Sequence, residues 1–227
     1  MKILFRLLAF IVAVPVLYLL AQMALLSLAF VREHHVWHQK LTVTVETPSG
    51  ERTGSAVVEV RAAFGQQPLS GNEVEYAYQG EATVVEVAPG RYLFALLGGS
   101  EERFFYAAKD RFSSINRGEW LSEIPKQTVP VELTAKHIPL LVTFDDINDP
   151  KTVTKVDPAN LEAAFGPGVS LTEVVLEITH DPVTEGRVEG VLGWLGPYPE
   201  SALWPVDPMD FSFGAKLRHG HFIMKGI

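Results

Sequence analysis

The chain of 227 residues carries 19 Lys and Arg against 27 Asp and Glu, a net charge of −8 at pH 7. That deficit of basic residues argues against nucleic acid and against a polybasic hold on anionic lipid, both of which need clustered Lys and Arg. Having no cysteine, the chain excludes disulfides, thiolate metal sites and a cysteine nucleophile.

Lys2 and Arg6 precede an apolar run, Leu7 to Val31, broken only by Tyr18, Gln22 and Ser27. At about 1.5 Å of rise per residue, roughly twenty-five residues of helix cross the ~30 Å hydrocarbon core of a bilayer. The leading positive charges predict a cytoplasmic tail at 1–6, a transmembrane anchor at 7–31 and a juxtamembrane segment at 32–39, with everything after it outside the cytoplasm. Ser27-Leu28-Ala29 offers a small-x-small cleavage site, but the run is longer than the 7 to 15 apolar residues usual in a signal peptide, so retention is expected. Pro15 predicts a mild kink in the span. In the juxtamembrane segment Trp37 suits an interfacial aromatic. His34 and His38 would be one turn apart on a continuing helix, a spacing that holds a metal if a third ligand arrives. A solvated collar is the competing reading.

From Lys40 the period becomes two. Leu41, Val43 and Val45 alternate with Thr42, Thr44 and Glu46, and Pro48-Ser49-Gly50 turns the chain toward a return strand over Ser55 to Phe64. Further strands are predicted at Val74 to Tyr78, Glu81 to Val87 and Arg91 to Leu97. Pro89-Gly90 makes the turn between the last two, Pro presetting φ and Gly accepting a positive one. Val84, Val85 and Val87, followed by that turn and by Arg91 and Tyr92, resemble the end of a transthyretin-like or carboxypeptidase-regulatory-like sandwich module over residues 40 to 97. The resemblance implies a structural module and brings no catalytic residue with it.

Phe104, Phe105, Ala108 and Phe112 fall at helical intervals and predict a short helix over Glu101 to Phe112, with a second over Arg117 to Ile124. Together with Tyr106 and Trp120 these aromatics either line an apolar pocket or form core. Thr128 to Leu133 and Ile138 to Phe144 return to strand character. The run Asp145-Asp146-Ile147-Asn148-Asp149-Pro150 offers hard oxygen ligands of the kind calcium accepts, from Asp145, Asp146 and Asp149. It lacks the glycine and the distal glutamate of an EF-hand, and aspartate also caps turns through its own backbone. Asp157 and Pro158 then predict the start of a short helix that Gly166 ends. From Leu141-Val142-Thr143-Phe144 through Asp157-Pro158 to Phe165-Gly166-Pro167-Gly168 the chain resembles a family of uncharacterised, membrane-anchored bacterial envelope proteins. That resemblance implies a place in the envelope and no activity.

Val169 to Thr179 is a clear strand, Arg187 to Leu195 is expected to return beside it, and a last strand is expected around Ala215 to Met224. On such a strand His219 and His221 would share one face as a metal pair, with His180 or His137 as a third ligand. Glu173, Glu177, Asp181, Glu185 and Glu189 could supply an acid and a base. The chain has neither a G-x-S-x-G elbow nor a phosphate-cradling glycine loop followed by Lys.

The expectation is a mainly β protein: an N-terminal transmembrane helix, then a β-sandwich-like extracytoplasmic part with short helices, divided into 40–134 and 135–227. It is placed at the bacterial inner membrane as a single-pass protein with its C-terminal domain in the periplasm. The expected role is that of a non-enzymatic accessory or interaction subunit with a protein partner in the envelope and no cofactor. A metal- or small-ligand-binding envelope protein is the alternative, with an enzyme of unrecognised type third.

Overall fold

The computed structural model describes residues 15–20, 22, 33–67, 71–113, 115, 117–196, 202–205, 207 and 209–225. Ten strands appear among them: β1 (Glu33–Glu46), β2 (Arg52–Gln67), β3 (Gly71–Glu81), β4 (Thr83–Ala88), β5 (Arg91–Ala95), β6 (Val131–Glu132), β7 (Leu141–Phe144), β8 (Val153–Val156), β9 (Ser170–Thr179) and β10 (Ile223–Met224). Four α-helices join them: α1 (Ser100–Ala107), α2 (Arg117–Glu123), α3 (Glu162–Phe165) and α4 (Arg187–Val191). The strands form two antiparallel sheets, one in the order β10-β3-β2-β1-β9-β6 and the other β4-β5-β7-β8. The protein is therefore mainly β, with short helices.

The described chain falls into two compact units. The larger holds His35–Arg61 and Tyr76–Ile227. In the other, the described residues are a helical stretch at 15–20, the start of β1, the C-terminal end of β2 and the first residues of β3. Among the described residues no helix is long and apolar enough to cross a membrane. Most of Leu7–Val31, including Ser27-Leu28-Ala29, lies outside the described residues. Strands from both sides of residue 135 share each sheet, β1 with β9 and β5 with β7, and the larger unit runs across that position.

In β1 the alternation begins earlier than Lys40. Trp37, Gln39, Leu41, Val43 and Val45 are buried while His38, Lys40 and Thr42 are half-exposed. Segment 33–39 is thus strand rather than a helical collar, because Trp37 and Gln39 already supply an inward face. His34 and His38 stand on extended backbone, where four residues cover about 13 Å instead of one helical turn. Antiparallel register sets Leu41 opposite Leu176 and Val43 opposite Val174.

The central strands of the four-stranded sheet, β5 and β7, are buried on both faces over most of their length. Leu93 and Phe94, neighbours in sequence and so on opposite faces, are each 0% exposed, and all of Leu141 to Phe144 is buried. Strands covered on both sides read as unbroken apolar runs, which is why LVTF and YLFALL show no period. One face packs Phe94, Val142 and Phe144 against Val188, Leu192, Leu217 and Phe222, with edge-to-face aromatic contacts of 5.6 Å between Phe94 and Phe144 and 5.9 Å between Phe94 and Phe222. Toward the six-stranded sheet, Gly54 lies so close to Val84 O that a Cβ there would collide with it.

One expected strand is not a strand, and another is reduced to its last two residues. Arg187 to Leu195 opens as α4, because the buried carboxylate of Glu81 accepts hydrogen bonds from the N–H groups of Arg187 (3.0 Å) and Val188 (3.1 Å) and fixes a helical first turn. Ala215 to Met224 makes two 3₁₀ turns, Gly214–Lys216 and His219–His221, before the short β10.

Candidate functional site

A concave site of the larger unit forms at the start of α1. Gly99, with φ 76, bends the chain into the helix, and Ser100 folds back so that both its N–H (2.9 Å) and its hydroxyl donate to Leu97 O. One turn later Arg103 returns to the same corner, donating from Nη1 to Ser100 Oγ (3.0 Å) and from Nη2 to the Gly98 carbonyl. From β1, Gln39 Nε2 donates to Ser100 O (2.6 Å), and Trp37 Nε1 donates to Gln39 Oε1 (3.3 Å). A buried polar chain, Trp37–Gln39–Ser100–Arg103, therefore ties the helix to the sheet.

Above this corner lies a cleft of about 410 Å³. Gly98, Gly99, Glu102, Arg103 and Tyr106 form one wall, and Lys136 to Leu140 the other. Burial pulls the Arg103 guanidinium down to about 10, with the charges of Glu101 and Tyr78 working the other way. His137 is likewise held below its usual value, first by burial and then by the cations Lys136, Arg103 and Lys109. The arrangement gathers positive charge around a concave surface and contains no serine or threonine set beside a histidine base.

The aromatic residues that suggested a pocket mostly form core. Phe105 stacks on Trp120 at 4.1 Å and on Phe112 at 5.9 Å, and Phe104, Phe112 and Trp120 are buried. Tyr106 is the member of that group that lines the cleft.

Five of the predicted metal ligands, His38, His219, His221, Asp146 and Asp149, make other contacts. His219 is buried, its Nε2 donating to Gly196 O at 3.1 Å, while His221 Nδ1 accepts from the backbone N–H of Arg218 at 2.9 Å. His34 is exposed near the start of β1. His38 Nδ1 donates to Asp181 O (2.7 Å) and its Nε2 meets Glu59 Oε2 (3.1 Å). Asp146 Oδ1 accepts from Asn148 N at 2.9 Å and Asp149 Oδ1 from Lys151 N at 3.0 Å. Thr152 Oγ1 closes the turn by donating to Asp146 O and Asp149 O. These carboxylates thus face their own backbone, as turn-capping aspartates do, and Asp145 sits exposed beside them. Among the described residues no group of three or more His, Asp and Glu could hold a metal ion.

On the outward face of the six-stranded sheet, His38 belongs to a polar network centred on Glu59. Arg61 donates to Glu59 Oε1 from Nε at 2.7 Å, and Gln79 Nε2 lies 3.3 Å from the same oxygen. Lys40 pairs with Asp181 at 3.3 Å and Glu177 at 3.7 Å. Burial raises the Glu59 carboxyl, yet the hydrogen bonds and charges of His38 and Arg61 outweigh it and leave the group below its ordinary value.

Sequence reasoning missed Arg103, Lys136 and Glu81. A signal was present for the first: Gln39 occupies the buried phase of β1 between Trp37 and Leu41, and a polar residue on a core face needs a polar partner. Comparison with family models, with curated proteins and with solved structures finds no match for this chain.

Proposed function

We propose that the chain is an accessory or interaction subunit held at a bacterial inner membrane, with its β domain on the extracytoplasmic side and a protein partner in the envelope. The observation that carries this reading is the junction at residue 32: the apolar run ends at Val31 and β1 begins at Glu33. A span of that length is an anchor, and in sequence a single residue, Arg32, separates it from the first strand. Lys2 and Arg6 set the orientation. The role is one of binding rather than turnover. His38, His219, His221, Asp146 and Asp149 are committed to hydrogen bonds within the fold, which supports that reading.

The test is purification of the full chain from native membranes in mild detergent after chemical crosslinking. A retained N-terminus in the intact mass and a stoichiometric crosslinked partner are the expected results. Recovery of a chain cut after Ala29, or of a free monomer at every crosslinker concentration, would remove the basis for an anchored subunit.

A further inference from the structure

We propose that the cleft between the start of α1 and the Lys136–Leu140 segment binds a small organic molecule through one compact oxyanion, a phosphate or carboxylate group. The proposal does not depend on the proposed partner.

The first argument is the state of Arg103. It is 8% exposed, and its guanidinium donates to two neutral oxygens, Ser100 Oγ and Gly98 O. Among the described residues no carboxylate forms an ion pair with it, whereas Arg61 is paired with Glu59, Lys126 with Glu123 and Lys225 with Glu189. Glu101 acts on it only through its field, and a cation taken out of water without a carboxylate in contact is costly. Here it is held in place by a buried polar chain and set in the wall of an open cleft, where an arriving anion would complete it.

The second argument is what stands around it. Lys136 and His137 face Arg103 across the cleft, and Lys109 adds its field to theirs, in a chain whose overall charge is −8. The N-terminal end of α1 opens at the same place and contributes the positive end of its peptide dipoles. At Gly98 no atom lies within 4 Å of where a Cβ would be, so backbone is open to approach there.

The composition of the walls sets the ligand class. Arg103, Lys136 and Lys109 are opposed by two carboxylates, Glu101 and Glu102, so three positive charges less two negative leave room for a single anionic group rather than a polyanion. Tyr106, Ile138, Pro139 and Leu140 supply apolar surface beside it for an organic body. A cleft of about 410 Å³ falls in the size range of small-molecule sites.

The full chain in detergent would be titrated with inorganic phosphate and with acetate, following thermal unfolding and calorimetric heat, against sodium chloride at matched ionic strength. Phosphatidylglycerol and phosphatidylcholine nanodiscs separate a lipid headgroup from a free anion as the source. Saturable stabilisation by at least one of the two oxyanions is expected. Lys136→Glu, a change at an exposed side chain, should unfold at the wild-type temperature without ligand yet bind at least about tenfold more weakly, the scale of one lost charge-assisted hydrogen bond. Lys151→Glu, away from the cleft, should bind as wild type. Arg103→Gln should abolish binding if it folds, and Lys136→Glu decides the matter if it does not. Equal affinity in wild type and Lys136→Glu, a response reproduced by chloride, or no saturable response to either oxyanion would overturn the proposal.

Discussion

Glu59 and Glu81 are both largely screened from water, and their partners drive them in opposite directions. At Glu59 burial pushes the carboxyl up, but His38 and Arg61 hold the ionised form and the group titrates below 4.5 in the fold. Its contribution to stability is present above about pH 4.5 and is lost as the pH falls through the lower folded value. At Glu81 burial prevails over the hydrogen bonds from Val188 and Arg187, and the group titrates above 4.5. The folded chain therefore binds that proton more tightly than the unfolded chain, so this contribution is full below 4.5 and is lost as the pH rises through the raised folded value. Urea unfolding across the acid range should show the stability difference between wild type and Glu59→Gln growing with pH, and that between wild type and Glu81→Gln shrinking. A pH-independent difference for either variant would contradict the corresponding assignment. Gly54 offers a steric test at the same scale. A Cβ there meets Val84 O and comes within 3.0 Å of Val85 Cγ2, so Gly54→Ala should cost about 3 kcal/mol, read as a lower urea midpoint at unchanged m-value.

At the scale of elements, legibility followed how locally each element is specified. The inward phase of β1 and the two aromatic-bearing helices were readable, because their period and their core contacts coincide. The residues that became α4 were read as a strand because a short apolar run does not reveal its own period and its cap, Glu81, is 106 residues away in sequence. At the C-terminal end His221 turns its imidazole back onto the N–H of Arg218, a local side-chain bond that competes with sheet pairing. The segment around α4 is fastened at three points. Glu81 caps it, Thr184 exchanges bonds with Val57 (N–H to Val57 O at 3.1 Å, Val57 N–H to Oγ1 at 2.8 Å), and Arg187 Nη1 reaches Ser55 O at 3.1 Å. Val188 and Leu192, 0% and 1% exposed, fill the core beneath. Removing the cap leaves two buried N–H groups unpaired, so Glu81→Ala should lower stability by about 2–4 kcal/mol. In native-state hydrogen exchange residues 183–192 should lose protection before the sheets do, and uniform loss across the chain would show that the carboxylate supports something broader than this segment.

For the whole molecule, the features that needed three dimensions were the ones a linear reading could not reach. Arg103 and Lys136 are ordinary surface-type residues in sequence, and their meeting depends on α1 being tied to β1 through Gln39 while the chain returns along Lys136–Leu140. The same interleaving governs how the chain can be cut. In the six-stranded sheet β9 lies between β1 and β6, and in the other sheet β7 pairs with β5 and β8 with β7. A fragment covering residues 40–134 would keep β2 to β6 yet lose the strand that joins β6 to the sheet. It would also lose Leu141 and Val142, which pair with Ala95 and Phe94. Leu41 and Val43 would lack Leu176 and Val174 opposite them, and Phe94 would lose its cover from Val188, Leu192 and Phe222. Each fully buried side chain left in water forfeits about 1.5–3 kcal/mol, and several such losses exceed the 5–15 kcal/mol by which domains are usually stable. The fragment should therefore show no cooperative unfolding transition and little amide dispersion by NMR, while residues 33–225 expressed as one chain should show both. A cooperatively folded 40–134 would mean that its strands complete a core without β7 to β10.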